Sequence, residues 1–240
     1  MLSGNKTNKI NSLTKHLWDF LFPINCVGCK TEGVWLCQSC INKINTSKNQ
    51  ICPVCKKISG SGKIHKSCLP SSSLDGIIAA SLYKEPIIKT AIHNYKYQGA
   101  KDISQVLSWL IVDYLNNIKT KPLGKIDLVI PVPLHKKKFL QRGFNQTAEI
   151  AQQVCNYFDW QYGDYLLRNK YTKTQTKQNA KERQLNVNEV FQLKDNINVK
   201  GKNIVLIDDV ITTGSTLQEC ANTLKKAGAV NVWGLAVAQD

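Results

Sequence analysis

Two adjacent acids, Asp208 and Asp209, end a hydrophobic run in the stretch Ile204–Thr216, which reads IVLIDDVITTGST. Neighbouring carboxylates repel, so they are a poor strand end if stability alone is at stake. Directly after them come Val210, then Thr212, Thr213, Gly214, Ser215 and Thr216, a turn of hydroxyls around one glycine that runs into a helix. Backbone N–H groups and hydroxyls at such a helix start cradle a phosphate. Gly214 is expected to let the backbone approach closely, with no Cβ in the way. The acids cannot bind that same anion. They are suited to accept hydrogen bonds from the two hydroxyls of a sugar attached to it, so the stretch reads as a site for a ribose 5-phosphate. The bland alternative is a strand end followed by a capped helix.

A second chemistry lies in the N-terminal third. Cys26, Cys29, Cys37, Cys40, Cys52 and Cys55 form three C-x-x-C pairs, and His65 stands three residues before Cys68. Four knuckles supply eight ligands, and zinc takes four N or S ligands in a tetrahedron, so two closed structural sites are expected. Sequential pairing puts Cys26, Cys29, Cys37 and Cys40 on one ion and Cys52, Cys55, His65 and Cys68 on the other; interleaved pairing satisfies the same count. Metal ions would replace the hydrophobic core that so short a segment cannot build. Repeated C-x-x-C pairs favour metal over a disulfide framework. Cys155 and Cys220 read as small buried hydrophobes.

The elements that must position these groups follow from periodicity. Residues 77–83, 127–132, 204–207 and 230–238 read as strands, and 86–97, 103–115, 145–158 and 215–227 as helices. Leu217, Cys220, Ala221 and Leu224 make the core stripe of the last helix, and Ala148, Ala151, Val154, Cys155 and Phe158 that of the helix before it. Alternation of this kind implies an α/β fold, a mainly parallel sheet flanked by helices. Ligands bind such sheets at the carboxyl ends of the strands, where Asp208 and Asp209 stand. The linker-like Pro70–Ser73 divides the chain into an N-terminal helix (1–22), a zinc-ribbon domain (23–70) and an α/β domain (74–240). Residues 168–186 are polar and poor in apolar side chains, as in a flexible loop over a site or a disordered surface excursion.

The chain has 240 residues, 32 Lys and Arg against 17 Asp and Glu, and a formal charge of +15. That balance favours polyanionic partners, although a lysine-rich solvated surface gives the same sum. No apolar run is long enough to span a bilayer. The amphipathic segment Leu13–Phe22 packs on the body of the protein or rests on a membrane surface. With no apolar core and small-residue cleavage site of a signal peptide at the N-terminus, a cytoplasmic location is expected.

The Ile204–Thr216 stretch resembles the phosphoribosyl-pyrophosphate (PRPP) signature of type I phosphoribosyltransferases: four hydrophobic residues, two acids and a T-T-G-x-T loop. More widely, the chain resembles one branch of that superfamily, the ComF/GntX proteins. Shared features are the zinc knuckles, K-Y-x-G from Lys96, P-V-P-L at Pro131–Leu134, R-G-F-N-Q at Arg142–Gln146, a T-x-x-Q-like segment from Thr174 to Gln178, and R-x-x-N from Arg183. The resemblance implies a phosphoribosyltransferase-like fold behind a double zinc ribbon. It implies that Asp208 and Asp209 meet the ribose hydroxyls at the catalytic centre, that Val210 and Thr212–Thr216 surround the 5-phosphate, and that magnesium bridges ribose and pyrophosphate. The loop at Pro133, Leu134 and His135, with Lys136, Lys137, Lys138 and Arg142, would face pyrophosphate, and Thr174, Gln178 and Arg183 would lie on the flexible loop. ComF-type proteins are associated with natural transformation, which implies single-stranded DNA as a partner and a competence helicase or DNA-loading protein as a further one. The aromatics at Tyr95 and Tyr97, beside Lys96, fit base stacking on a basic groove; for Tyr95, core packing is the alternative. Two other roles fit the same site: a phosphoribosyltransferase with an unidentified acceptor, and a PRPP-sensing adaptor without turnover.

Overall fold

The computed structural model describes residues 24–97, 102–118, 122–169 and 190–240. The expected helix over Leu13–Phe22, Gly99 of the K-Y-x-G motif, and Thr174, Gln178 and Arg183 lie outside the described residues.

Strands β1 (Gly76–Leu82), β2 (Leu128–Pro131), β5 (Asn203–Ile211) and β6 (Asn231–Gln239) form one parallel sheet in the order β1-β6-β5-β2. Their side chains are almost continuously apolar because both faces of the sheet are covered. Val205 and Ile207 face the cluster formed with α2 (Pro86–Tyr97), α3 (Ile103–Asn117) and α5 (Gln146–Phe158). Ile204 and Leu206 face the other way, toward α6 (Ser215–Lys226) and the short antiparallel pair β3 (Leu166–Arg168) and β4 (Phe191–Leu193). That two-residue alternation fixes which face each acid of β5 addresses.

The helices follow the expected stripes closely. Leu217, Cys220, Ala221 and Leu224 of α6 are buried, and Gly228 follows with φ +93°. On α5 the buried set begins earlier than the sequence suggests. Gln146, Thr147 and Ile150 face inward with Ala151, Val154 and Cys155, whereas Ala148 and Phe158 are only partly buried. Cys155 and Cys220 are both core residues. Lys136–Arg142 forms a helix, α4, where a loop was expected.

The N-terminal segment builds two knuckles on the same hydrogen-bond frame. In the first, Cys26 N–H donates to Thr31 O and Lys30 N–H to Cys26 O; in the second, Cys52 N–H donates to Lys57 O and Lys56 N–H to Cys52 O. A four-residue turn, α1 (Gln38–Ile41), carries Cys40, and a 3-10 helix, Lys66–Ser71, carries Cys68. The segment lies along the free edge of β1. Ser47 N–H donates to Ala80 O, Ile77 N–H donates to Gly62 O, and the side chain of Gln50 bonds both the N–H and the C=O of Ala79. An edge strand with unpaired backbone invites foreign strands, and this covering removes the invitation. Gly62 is required there, since a Cβ would sit 2.2 Å from Ile77 O. Val27, Leu36 and Ile44 pack in the same cluster as Ile88 and Leu107, so the first knuckle shares the core of the α/β domain. Among the described residues no helix is long and apolar enough to cross a membrane.

Candidate functional site

Asp208 and Asp209 do not end the strand as the sequence suggests: β5 continues through them and stays paired with β6 as far as Ile211. The acids lie in its carboxyl-terminal half just past the end of β2, where Pro131 pairs with Ile207 and Val132 N–H donates to Ile207 O. Pleating separates their surroundings. Asp209 is buried on the α2/α5 face. Both of its oxygens lie 2.9 Å from Lys96 Nζ, and Gln146 Nε2 donates to Oδ2 at 3.0 Å. An ionised carboxylate shielded from water needs such partners. Gln146 is itself placed by the end of β2: Thr147 Oγ1 donates to Val132 O at 2.6 Å, and Asn145 caps α5 by accepting from Thr147 N–H. Its Oε1 is buried and has no hydrogen-bond partner among the described residues.

Asp208 faces differently. Its Oδ1 accepts from the N–H of Asp209 at 2.8 Å. Burial, then the negative charge of Asp209, pushes its carboxyl up to about 7, against the backbone N–H and the positive charges of Lys96 and Arg168. A carboxylate held uncomfortably in the free protein gains from any donor or cation brought to it.

Beyond the acids, Thr212, Thr213 and Ser215 are exposed and Thr216 is partly buried. Thr213 Oγ1 accepts from Ser215 N–H and pairs with Ser215 Oγ at 2.9 Å. Gly214 is the N-cap of α6, with φ +81° and no side chain to close the helix end. Its left-handed backbone is a reason for glycine in addition to the close approach to a ligand that the sequence suggests. A Cβ would meet Pro53 at an ordinary 3.4 Å, so the left-handed φ, not crowding, demands it. Residues Asp208 and Val210 to Leu217 enclose a notch of about 20 Å³, room for about one water.

The P-V-P-L-H segment leaves β2 beside this notch. Pro133 is buried, and Leu134 and His135 are partly buried. His135 caps α4, its Nδ1 accepting from Lys137 N–H at 3.2 Å. Burial and the positive charges of Arg168, Lys137, Lys136 and Lys138 lower its pKa, which favours the accepting form of the ring. Lys136, Lys137 and Lys138 are exposed on α4 and do not form a loop. Arg142 stacks on Tyr97, its guanidinium 5.2 Å from the ring centre. Tyr97 is 59% exposed, whereas Tyr95 is fully buried, with its hydroxyl donating to Gln146 O and in contact with Glu149. Tyr95 is therefore a core residue and no stacking platform, and Lys96 is the counter-ion of Asp209. Lys96, Gln146 and Arg168 stand beside the acids although no local feature of the sequence places them there. The only signal was that the first two fall in K-Y-x-G and R-G-F-N-Q.

The eight zinc candidates fall into two tetrads, Cys26/Cys29/Cys37/Cys40 and Cys52/Cys55/His65/Cys68, each with its ligand atoms within 4.8 Å of one another. Sequential pairing is what the fold brings together. The donor sets suit zinc. Cys37 N–H donates to Cys26 Sγ, and a hydrogen bond from Ser39, with others from the Cys40 backbone and Cys29, lowers the Cys37 thiol to about 6. At Cys52 burial opposes ionisation, yet backbone donors from Cys55, His65 and Val54 bring it to about 6. His65 Nδ1 lies 3.2 Å from Cys55 Sγ while Nε2 reaches Ile58 O at 3.2 Å, the outer hydrogen bond that orients a ligating imidazole.

Residues 141–238 match the phosphoribosyl transferase domain family, and residues 17–69 match the double zinc ribbon domain family. The chain is 31% identical over 220 residues to competence protein F of Haemophilus influenzae, covering 83% of this chain and 96% of that protein. It is 31% identical over 215 residues to the DNA utilization protein YhgH of Escherichia coli, covering 85% and 91%. It is 28% identical over 199 residues to competence protein ComFC of Bacillus subtilis, covering 80% and 79%. With two zinc-ribbon tetrads ahead of a parallel sheet that carries the acid pair, the chain belongs to the ComF family of the type I phosphoribosyltransferase superfamily.

Proposed function

We propose that this protein binds PRPP with magnesium at the carboxyl end of β5 and acts in the cytoplasm on single-stranded DNA during DNA uptake. The observation that carries the first part is the division of labour between the acids. Asp209 is already satisfied by Lys96 and Gln146, whereas Asp208 is raised to about 7 by burial and its neighbour's charge. The ribose hydroxyls would donate to Asp208 and to the buried Oε1 of Gln146, which has no partner among the described residues, with Asp209 fixing the Gln146 amide. The 5-phosphate would take the N–H groups at the start of α6 and the hydroxyls of Thr212, Thr213, Ser215 and Thr216. Pro133 to His135, with Lys136, Lys137 and Arg142, line the side on which the pyrophosphate would extend. Magnesium, if bound with PRPP, would supply positive charge to offset that of the ligand, and the oxygen-only chemistry of Asp208 would suit that ion.

The DNA part of the proposal is supported by the kinship with proteins named for competence and DNA utilization, and by one surface. Lys136, Lys137, Lys138, Arg142, Tyr97 and the 47% exposed Phe139 combine charge with aromatic rings. Single strands are held by such combinations. A helicase or DNA-loading protein would be the natural macromolecular partner.

Calorimetry tests the PRPP reading. Wild type should bind PRPP with magnesium, and Asp208→Asn should weaken binding by about 10- to 100-fold, as expected for a charge-assisted hydrogen bond. Equal affinity for both proteins would remove the site.

A further inference from the structure

The second zinc knuckle touches the phosphate loop. Lys56 Nζ donates to Thr213 O at 3.4 Å, across 157 positions of sequence. Pro53, between the ligands Cys52 and Cys55, has its Cβ 3.4 Å from where a Cβ on Gly214 would stand. The knuckle is thus packed on the Thr213–Gly214 peptide from outside. Lys30 holds the equivalent place in the first knuckle, with the same left-handed backbone (φ +68°, against +61° for Lys56). It forms part of a turn whose neighbours belong to the core around Val27. Two copies of one turn therefore differ in what they abut.

The contact has a mechanical consequence. A trans peptide is planar, with its C=O and N–H pointing in opposite directions. A cation gripping the carbonyl of Thr213 turns the N–H of Gly214 away from the knuckle and fixes the plane in which it points. At 3.4 Å the bond is long, so its grip is mainly that of charge on dipole. The position of Lys56 depends in turn on its own N–H, which donates to Cys52 O at 2.9 Å within the knuckle the metal would close.

We propose that Lys56 is a positioning residue for the phosphate loop, and that zinc in the Cys52/Cys55/His65/Cys68 site and a sugar phosphate on the loop bind cooperatively through it. The proposal rests on the reading of Thr212–Thr216 as a phosphate cradle. Linkage makes the coupling reciprocal: zinc tightens the ligand, and the ligand slows loss of zinc from that site.

Four proteins test it: wild type, Lys56→Met, Lys56→Arg and, as control, Lys30→Met. Each is titrated with magnesium and PRPP by calorimetry, and zinc release to a chromogenic chelator is timed with and without PRPP. Lys56→Met should keep its zinc and bind PRPP about 3- to 10-fold more weakly, the effect of one hydrogen bond. Lys56→Arg should recover most of the loss, and Lys30→Met should match wild type. In wild type PRPP should slow the release of one zinc of two, and in Lys56→Met it should not. Should Lys56→Met shed its zinc, the wild-type release rates still decide. PRPP that binds wild type without slowing zinc release, or that binds Lys56→Met as tightly as wild type, overturns the coupling and leaves the phosphate site standing. Wild type that binds no PRPP overturns the cradle and the coupling together.

Discussion

Asp208→Asn is expected to stabilise the ligand-free protein while weakening its hold on PRPP. Burial, with help from the charge of Asp209, raises this carboxyl from 3.8 to about 7. Each pKa unit is worth about 1.4 kcal/mol between the protonation states. At pH 8 the group is ionised in both the folded and the unfolded chain, so the folded state carries the whole penalty, at most about 4 kcal/mol. Although the carboxyl is deeply set, the residue keeps a partly exposed edge, and screening there brings this to about 2 kcal/mol. A group whose folded pKa is raised lends its stability at low pH and loses it as pH rises through the folded value. At pH 5.5 the native carboxyl holds its proton, and the penalty falls by roughly half. Asn has no proton to lose. Its advantage over wild type should therefore grow between pH 5.5 and pH 8 by about 1 kcal/mol, a rise of about 2–4 °C in the difference of Tm for a chain of this size. Thermal melts of both proteins at each pH measure it, and the difference between them cancels any protonation of the zinc thiolates that both share. An advantage that shrinks with rising pH, or no advantage at pH 8, would refute the assigned strain.

Lys96→Met leaves the buried carboxylate of Asp209 with Gln146 alone, and should cost about 2–4 kcal/mol in chemical denaturation. Adding Asp209→Asn to that variant should return part of the loss, since the orphaned charge is removed. Gly214→Ala forces an alanine to φ +81° and should cost about 1–2 kcal/mol, read as a lower Tm together with weaker PRPP binding. Cys37→Ser and Cys68→Ser should each lower the zinc content measured by atomic emission from two ions per chain to one, because the two tetrads share no ligand. If single-stranded DNA lies along α4, replacing Lys136, Lys137 and Lys138 with Gln should flatten the salt dependence of binding by a slope of about 2, three phosphate contacts at about 0.7 each.

The parts of this fold that were legible in the sequence are those with strong local signals. The acid pair and hydroxyl turn lie within a single strand–turn–helix, and C-x-x-C spacing is set by the knuckle itself. Buried parallel strands announce themselves as apolar runs. Helix α4 gave no such signal. KKKFLQR buries none of its residues, so it has no core stripe, and its cap is the ring of His135 rather than a Ser, Thr, Asp or Asn. The β3–β4 pair has three residues on each side, too few to show a period. Tyr95 and Tyr97 were read together because they flank a lysine, but residues two apart on a helix lie about 200° apart around its axis. One ring accordingly enters the core and the other meets solvent. Lys96 and Asp209 are 113 positions apart, and Lys56 and Thr213 are 157 apart. Pairings at that distance depend on how the sheet is ordered and where the ribbon docks along β1, neither of which local spacing encodes.

On this reading Asp208 of β5 holds the ribose by its hydroxyls, and the start of α6 holds its 5-phosphate. A crystal grown with PRPP and magnesium measures this directly. The 5-phosphate should lie against the backbone N–H groups of Gly214 to Thr216, with the ribose hydroxyls within hydrogen-bond distance of Asp208. Density for PRPP at another place on the protein, or an empty site at saturating ligand, would contradict it.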